Sequence, residues 1–452
     1  MKENLSLLVD LYEFTMSQSY FLYKKKSWAT FDLFVRALPP NRAYLVSCGL
    51  EDLLEYIRQL KFTKDDISFL KSKKIFSDEF LRYLRNFRFR GDIWAIPEGE
   101  IFFAQEPMVR VTAPIIEAQL IESYFLNTVN LQTMIASKAS RVVNAGRGRD
   151  VIDFSLRRTH GAWAGIKVAR CAYIAGCQGT SNVLAGKLYN IPVSGTMAHS
   201  FVAAFKKEKD SFLSYVRTFP DKSILLVDTY NVKEGIKNAI SVGLELKCEG
   251  HRLLGIRLDS GDIVSLSKLA RKMLDRAGLE YVKILATGNL DEFKIEKLLK
   301  RGACVDSFGV GTNMGVSTDA PSLDVIYKLS EVTDGAGRFL PTMKLSKAKA
   351  TYPGRKQVIR QQDKNGKFIK DVLALEKEKI PGRPLLIKVV DKGNVVYNIP
   401  SLDRIRCSVK DNLARFSTAL LEVFPKYKYP VVVSPGLKKL HSELSRQLMR
   451  RQ

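Results

Sequence analysis

The segment from Arg257 to Asp262, RLDSGD, places one cation, two carboxylates and a glycine within six positions. It follows an apolar, β-rich run. We therefore expect it at the carboxyl end of a strand, where helix amino termini and free backbone N–H groups converge. A loop of this composition can hold a sugar diol and a metal ion. The alternative is a strand-end turn in which an Asp and a Ser cap the following helix.

Two later segments are rich in glycine and carry hydroxyl groups: Thr287-Gly288-Asn289 and GVGTN, which runs from Gly309 to Asn313. Their glycines leave the backbone amides open to an anion, so two neighbouring turns of this kind suit a phosphate group. A GxGT pattern by itself is also typical of an ordinary tight turn. The position of both segments after consecutive predicted strands favours the phosphate interpretation.

His199 lies in GTMAHS after the apolar segment IPVSG, so we expect it to emerge from another strand end. His160 lies beside Arg157 and Arg158, which could grip a carboxylate or a phosphate through bidentate hydrogen bonds. An isolated histidine is more often a packed structural residue, and arginine pairs also cover ordinary surfaces. Taken alone, these residues predict an enzyme that acts on a phosphorylated sugar.

The elements that position these residues form a repeat in the middle of the chain. Each repeat is an apolar β-rich run, a polar turn and an amphipathic helical stretch, which is the βα unit of parallel sheets and barrels. Four such units in succession predict an α/β fold with a barrel-like core. The runs are ILLVDTY from Ile224, LLGIRLDSGD from Leu253, KILATGN from Lys283 and DSFGVGTN from Asp306.

The two ends of the chain have a different pattern. We expect an N-terminal α+β domain over residues 1–135, with helices at Leu5 to Tyr23 and Leu50 to Leu60. The α/β barrel should occupy residues 136–345, and a C-terminal segment residues 346–452. That segment should contain a hairpin with its tip at Lys392-Gly393-Asn394 and a closing helix that carries Leu402 and Val409 on one face.

Composition excludes several classes of protein. The chain has 452 residues, 46% of them hydrophobic and 26% charged, as in globular proteins of more than one structural unit. No apolar run could span a bilayer, no signal peptide is recognisable, and six scattered cysteines indicate reduced thiols, so we expect a cytoplasmic protein with no membrane partner. The net charge of +25 favours anionic partners, but no specific nucleic-acid module is recognisable.

The chain resembles the nicotinate phosphoribosyltransferase family, a group of type II phosphoribosyltransferases. The resemblance rests on the long run from Asp153 to Phe205 and extends over nearly the whole chain, through the motifs LLVDLYEFTMSQSYF, RLDSGD, ATGNLDE, FGVGTN, TDAPSLDVIYKL, PTMKLS, YPGRKQV and YPVVVSP. It implies that nicotinate and phosphoribosyl pyrophosphate give nicotinate mononucleotide and pyrophosphate, with coupled ATP hydrolysis, in NAD salvage. It also implies that the α/β barrel is irregular, that magnesium is held mainly through pyrophosphate, and that the chain forms a homodimer with shared active sites.

The resemblance assigns a role to each site residue. His199 corresponds to the histidine that ATP phosphorylates, Asp259 to the carboxylate that holds the ribose hydroxyls, and Arg257 to a group that faces nicotinate and the ribosyl unit. Asp228 would support the same site. The residues implied to cradle the 5′-phosphate are Gly288, Asn289, Gly311 and Thr312.

The pyridine site is implied in the same way. Phe154 and Tyr12, the latter from a partner subunit, correspond to the aromatic pair that sandwiches the ring. Relatives that use nicotinamide have an aspartate where this chain has Ser181, so Ser181 with Arg257 and Arg157 favours the acid. The segment after Arg36 departs from the family's glycine-rich stretch, which leaves the pyrophosphate roles of Arg36 and Arg42 unassigned.

Two alternatives stay open. One is a related phosphoribosyltransferase that uses nicotinamide or quinolinate. The other is a catalytically silent protein of the same fold that binds nucleic acid through its positive charge, which would make binding strongly salt-dependent.

Overall fold

The computed structural model describes residues 4–345 and 351–450, which form two compact units. The first unit contains the described residues of Met1–Met134, Ser322–Leu421 and Pro425–Gln452, and the second contains Ile135–Pro321 and Glu422–Phe424. The N-terminal and C-terminal parts of the chain therefore share one unit. The division of the sequence into three segments stays a prediction.

The N-terminal part of the chain is mostly helical, with short strands between the helices. The helix predicted from Leu5 begins only at Leu11, because Asp10 before it has an extended backbone. The predicted helix at Leu50 is confirmed. The elements are α1 (Leu11–Tyr23), β1 (Trp28–Val35), β2 (Leu45–Val46), α2 (Leu50–Gln59), α3 (Lys64–Ser72), α4 (Asp78–Arg85), β3 (Asp92–Ala95), β4 (Ile101–Phe102), β5 (Pro107–Pro114), α5 (Ile115–Leu120) and α6 (Glu122–Ala145).

The second unit alternates strands and helices, as the repeats predict. Its elements are β6 (Asp150–Asp153), α7 (Ala162–Ile174), β7 (Gly179–Thr180), α8 (Val183–Tyr189), α9 (His199–Ala203), α10 (Glu208–Thr218), β8 (Ile224–Leu226), α11 (Val232–Cys248), β9 (Gly255–Leu258), α12 (Ile263–Arg276), β10 (Lys283–Ala286), α13 (Glu292–Lys300), β11 (Ser307–Val310) and α14 (Thr312–Gly315). The six strands form one parallel sheet in the order β7-β6-β11-β10-β9-β8. The α/β fold is thus confirmed.

Burial explains why these runs form the sheet. Leu225, Ile256, Ile284 and Phe308, one from each predicted run, are fully buried in a single hydrophobic core. The return helix α12 buries Ala270 and packs other apolar side chains of the same face against that core. Strands covered by helices in this way place their carboxyl-end loops at one edge of the sheet.

The C-terminal part is rich in strands. The predicted hairpin is confirmed, since Asp391 pairs with Asn394, and the helix that carries Leu402 and Val409 is α15. A further helix, α16, follows it and was not predicted. The elements are β12 (Val325–Thr333), β13 (Phe339–Pro341), β14 (Lys356–Gln362), β15 (Phe368–Leu375), β16 (Arg383–Pro384), β17 (Ile387–Asp391), β18 (Asn394–Val395), α15 (Leu402–Ala414), β19 (Val431–Val433) and α16 (Pro435–Met449).

Strands from both ends of the chain share one sheet in the first unit. Its seven strands lie in the order β13-β12-β1-β5-β3-β17-β18, and β1 pairs with β12 across about 300 residues of sequence. A four-stranded sheet, β16-β14-β15-β19, and a two-stranded sheet, β2-β4, complete the unit. Within the described ranges, none of the helices combines the length and apolar character that crossing a bilayer requires.

Candidate active site

Arg257 and Asp259 form an ion pair at the end of β9. The Nη2 atom of Arg257 donates to Oδ1 of Asp259 at 2.5 Å, and its Nε donates to the hydroxyl of Thr287 at 2.9 Å. Thr287 in turn donates its hydroxyl proton to Oδ1 of Asp259. Thr287 can reach both residues because β9 and β10 are parallel neighbours whose carboxyl ends are in register.

The surroundings of Asp259 keep its carboxyl group ionised. Partial burial alone would raise the pKa of Asp259, but the hydrogen bonds from Thr287 and Arg257, and the charge of Arg257, outweigh it and hold the pKa below its usual value. About a quarter of the side chain is exposed. The loop therefore presents a negative charge to solvent at neutral pH.

Asp228, just after β8, fixes the backbone of the acidic loop. Its Oδ2 accepts the N–H of Asp259 and the hydroxyl of Ser260, both at 2.8 Å. Its Oδ1 is buried and has no hydrogen-bond partner in the described part of the chain. Asp262 instead caps α12 by accepting the N–H of Val264. The capping alternative is therefore correct for Asp262, whereas Ser260 contacts Asp228.

His199 begins α9 and lies beside the acidic loop. Its Nε2 is 3.6 Å from Oδ2 of Asp259, its Nδ1 is 3.2 Å from the hydroxyl of Thr229, and nearly half of its side chain is exposed. The preceding GTMAH segment is anchored on Arg257, whose Nη1 donates to the hydroxyl of Thr196 at 2.9 Å. The structure thus brings the predicted imidazole and the predicted carboxylate together.

The first glycine-rich turn packs directly against this loop. Gly288 has φ of +92°, and a Cβ atom there would overlap the carbonyl oxygen of Asp259, so only glycine fits without a shift. The next residue, Asn289, accepts two hydrogen bonds from the side-chain amide of Asn313, at 3.1 Å and 2.9 Å. The two turns predicted to hold phosphate are therefore joined to each other.

Phe154, just after β6, lies against the second turn. A Cβ atom on Gly309 would come within 2.6 Å of the Phe154 ring and 2.7 Å of the Thr287 methyl group. One on Gly311 would lie 3.2 Å from the Phe154 carbonyl oxygen, and Thr312 then begins α14. Gly309 therefore lies between the phenyl ring and Thr287, and Thr287 is hydrogen-bonded to Asp259.

Three family descriptions match successive parts of the chain. Residues 7–130 match the nicotinate phosphoribosyltransferase N-terminal domain, residues 150–374 match the nicotinate phosphoribosyltransferase family, and residues 382–441 match the nicotinate phosphoribosyltransferase C-terminal domain. The chain belongs to the nicotinate phosphoribosyltransferase family.

Individual relatives in the family match over almost their full length. A nicotinate phosphoribosyltransferase of Mycobacterium tuberculosis is 45% identical over 433 residues, which cover 95% of this chain and 91% of the relative. A nicotinate phosphoribosyltransferase of Bacillus subtilis is 38% identical over an alignment of 481 residues, gaps included. The alignment covers 98% of this chain and 97% of the relative. The crystal structure of human nicotinic acid phosphoribosyltransferase has a TM-score of 0.85 at 28% identity, covering 96% of this chain and 99% of the human one.

The remaining residues implied by the family resemblance are less closely tied to the acidic loop. Arg157 lies in an exposed single turn of 3-10 helix after Phe154. Ser181 follows β7 and donates its N–H to the carbonyl of Asp153 at 2.8 Å. Tyr12 lies on α1 in the first unit and is about half exposed. Their contacts with nicotinate stay predictions.

Arg36 and Arg42, to which the resemblance assigns no pyrophosphate role, lie in the first unit. The Nη1 atom of Arg36 donates to both carboxylate oxygens of Asp324, to Oδ2 at 3.0 Å and to Oδ1 at 3.2 Å. Arg42 is buried. Neither observation assigns them to pyrophosphate.

Two polar residues that organise the site were missed from the sequence. The sequence pattern places Thr287 only in a glycine-rich turn and gives no role to Asp153. Asp153 accepts the hydroxyl of Ser155 at 2.5 Å and that of Thr180 at 2.7 Å, and burial raises its pKa despite these hydrogen bonds. A carboxylate that ends a buried strand, as in DVIDFS, is the signal that could have revealed it.

The described residues offer few side-chain ligands for a metal ion. Residues 4–345 and 351–450 contain no group of three or more His, Cys, Asp or Glu side chains that could bind a metal ion together. The unpaired Oδ1 of Asp228 and the ionised Asp259 are oxygen donors of the type that Mg²⁺ prefers. These residues fit an ion that takes most of its ligands from phosphate groups.

Proposed function

We propose that this chain transfers the phosphoribosyl group of phosphoribosyl pyrophosphate to the ring nitrogen of nicotinate, giving nicotinate mononucleotide and pyrophosphate for NAD salvage. Membership of the family supports this activity. The observation that carries it is the position of Asp259, whose carboxylate is fixed by Arg257 and Thr287 beside His199.

The carboxylate suits this transfer. As the bond to pyrophosphate breaks and the bond to the pyridine nitrogen forms, positive charge develops on the ribosyl group. An ionised Asp259 that already lies in a fixed position lowers the energy of that state without reorganising. Asp259 would also accept hydrogen bonds from the ribose hydroxyls.

The neighbouring groups would orient the two substrates. The amides of Gly288, Asn289, Gly311 and Thr312 would hold the 5′-phosphate, since the two turns are joined and carry no bulky side chain. Phe154 would stack on the pyridine ring, and Arg257 would face its carboxylate.

ATP coupling is part of the proposal. The exposed imidazole of His199 would accept the γ-phosphoryl group, and Asp259 lies close enough to balance the charge of the ring. A bound magnesium ion would neutralise charge on the pyrophosphate, with Asp228 and Asp259 as the residues of this chain that could contact it.

Exposed apolar side chains near Tyr12 support a homodimer with shared sites. Tyr12 and its neighbours Leu8 and Leu11 on the first unit are large apolar side chains that are about half exposed. Covering them with a second copy of the chain would remove apolar surface from water. A cytoplasmic location is likewise proposed. It is supported by the six cysteines, none of which forms a disulfide within the described residues, because a reducing compartment keeps thiols reduced.

The test is an assay with phosphoribosyl pyrophosphate, magnesium and either nicotinate or nicotinamide, with and without ATP. Mononucleotide, pyrophosphate and ADP are measured together. We expect mononucleotide from nicotinate, with ADP release when ATP is present. Mononucleotide from nicotinamide alone would contradict the proposed substrate, and transfer without any ADP release would contradict the coupling.

A further inference from the structure

Phe154 and Ser181, two of the residues predicted to contact nicotinate, follow neighbouring strands. β6 and β7 are parallel, and their last residues, Asp153 and Thr180, pair with each other in register. The chain leaves the sheet directly after this pair. The positions of Phe154 and Ser181 therefore depend on what holds the two strand ends together.

The carboxylate of Asp153 connects the two strand ends. Its Oδ2 accepts the hydroxyl of Thr180 at 2.7 Å, and its Oδ1 accepts the N–H of Ser155 at 3.0 Å and the hydroxyl of the same serine at 2.5 Å. The backbone carbonyl of Asp153 accepts the N–H of Ser181 at 2.8 Å. One residue therefore holds the turn around Phe154 and the backbone of Ser181.

These hydrogen bonds lie in the interior of the second unit. Asp153 is 1% exposed, and Ser155 and Thr180 are fully buried. A fully buried carboxylate oxygen that loses its donor cannot turn to bulk water for another, so the loss is costly. The three side chains therefore favour one arrangement of the strand ends over others.

The other side of Phe154 is held by β11. The N–H of Phe154 donates to the carbonyl of Val310 at 2.9 Å, and a Cβ atom on Gly309 would come within 2.6 Å of the phenyl ring. The ring already contacts β11 and cannot move closer to it. A change at Asp153 can move the ring only along or away from that strand, and this movement would change its distance to Ser181.

We propose that Asp153 and Thr180 are positioning residues that set the distance between the Phe154 ring and Ser181, and thereby the affinity for nicotinate. This inference rests on the proposed transfer of the phosphoribosyl group to nicotinate. Both residues are buried and act through the residues that follow them in the chain. A flat aromatic acid stacks on a ring within a narrow range of separations, so a small shift of either strand end weakens binding.

The consequences for the two substrates differ. Nicotinate would contact Phe154 directly, whereas phosphoribosyl pyrophosphate would bind mainly at the loops after β9 and β10, where Asp259 and Gly288 lie. The side-chain hydrogen bonds of Asp153 run to β7 and to the turn after β6, and reach neither of those loops. Weakening them should therefore raise KM for nicotinate more than KM for phosphoribosyl pyrophosphate.

The experiment compares Thr180→Val, which removes the hydroxyl, with Thr180→Ser, which keeps it. Steady-state kinetics of the full-length protein with magnesium and ATP give KM for each substrate. We expect KM for nicotinate to rise about 10-fold in the valine variant, the loss of one hydrogen bond, and about threefold or less in the serine variant. KM for phosphoribosyl pyrophosphate should stay within about twofold of the natural value in both.

Two controls separate positioning from a general loss of stability. Thr30 also donates its hydroxyl to a buried carboxylate, that of Glu331 at 2.9 Å, but in the first unit. Thr30→Val should lower the melting temperature and leave KM for nicotinate unchanged. In a Phe154→Leu background, Thr180→Val should raise KM for nicotinate by less than about twofold, because residues that act through one shared contact are not additive.

Three kinetic results would overturn the proposal: an unchanged KM for nicotinate in Thr180→Val, an equal rise in both KM values, or an undiminished effect in the Phe154→Leu background. Should Thr180→Val fail to fold, Ser155→Ala removes a single donor to the same carboxylate. A rise in KM for nicotinate alone then supports the proposal, and any other result contradicts it.

A second measurement does not depend on turnover. In protein that carries fluorinated phenylalanine, the ¹⁹F NMR signal of Phe154 is identified by its loss in Phe154→Leu. We expect that signal to shift or broaden in Thr180→Val and to stay in place in Thr180→Ser. An unchanged signal in Thr180→Val would overturn the inference. If the natural protein forms no nicotinate mononucleotide, the proposed function fails, while the ¹⁹F spectra still decide whether Asp153 and Thr180 position the ring.

Discussion

The carboxylate of Asp228 accepts the backbone N–H of Asp259 at 2.8 Å, so one acidic residue sets the position of another. The same oxygen accepts the hydroxyl of Ser260. Because Asp228 follows β8 and Asp259 follows β9, two adjacent strand ends are connected through this single side chain. The acidic loop is therefore held in place before any substrate binds.

Removing this support should reduce activity more than stability. In Asp228→Ala the partly buried N–H of Asp259 loses its acceptor, which costs roughly 1–3 kcal/mol and loosens the loop. We expect kcat/KM for phosphoribosyl pyrophosphate to fall about 10- to 100-fold. Ser260→Ala removes only one of the two contacts and should lower it by less. Equal kinetics in Asp228→Ala and the natural protein would show that the loop holds its position without Asp228.

Gly288→Ala should disturb the same loop from the other side. The residue has φ of +92°, and its Cβ would overlap the Asp259 carbonyl oxygen, so we expect a loss of roughly 2–4 kcal/mol in the free energy of unfolding. Gly250 has φ of +83° and open space around it, so Gly250→Ala should cost only about 1–2 kcal/mol of backbone strain. Denaturant unfolding of both variants measures the difference. Equal losses would mean that the contact with Asp259 is unimportant.

The arrangement of the glycine-rich turns could be predicted from the sequence. β9, β10 and β11 are adjacent in the sheet in the order of the chain, so the turns that follow them had to meet at one edge. Short apolar runs and the spacing between them carry that information, because neighbouring βα units pair locally.

Contacts between distant parts of the chain could not be predicted in this way. β6 pairs with β11, about 155 residues later, and this pairing places Phe154 against Gly309. Nothing in the local pattern of either strand encodes the partner. The same limit applies to Thr287, whose role depends on the orientation of Arg257 and Asp259, and to β1, which pairs with β12.

The choice between acid and amide substrates is predicted to depend on Ser181. In Ser181→Asp the added carboxylate should repel nicotinate and accept a hydrogen bond from an amide, so we expect KM for nicotinate to rise by about 10-fold or more. Ser181→Ala keeps the site small and uncharged and serves as the control. Steady-state kinetics with nicotinate and nicotinamide measure the change. An unaltered preference in Ser181→Asp would exclude this residue from substrate selection.

Glu13 should make stability depend on pH. Burial, with the nearby charges of Glu122 and Asp10, raises the pKa of Glu13 to about 8 even though Ser123 donates a hydrogen bond to it. In the unfolded chain the same carboxyl ionises at about pH 4.3. The folded state therefore binds more protons between these two values, and the contribution of Glu13 to stability falls as pH rises through this window.

Glu13→Gln removes that dependence. We expect its melting temperature to match the natural protein near pH 4.5 and to exceed it at pH 8, by an amount equivalent to about 1–3 kcal/mol. Glu79→Gln, an exchange of the same type at an exposed position on α4, should change neither value. Scanning calorimetry at the two pH values makes the comparison. A Glu13→Gln variant that is no more stable at pH 8 would show that the folded protein accommodates the charge.

The most direct test compares two aspartates of the same loop, Asp259 and Asp262. Asp259 faces His199 and Arg257, whereas Asp262 caps α12, a role that asparagine also fills. The measurement is kcat/KM for the formation of nicotinate mononucleotide from nicotinate and phosphoribosyl pyrophosphate. We predict a loss of about 100-fold or more in Asp259→Asn and values within about twofold of the natural protein in Asp262→Asn. Similar rates for Asp259→Asn and the natural protein would contradict the assignment of phosphoribosyl transfer to this site.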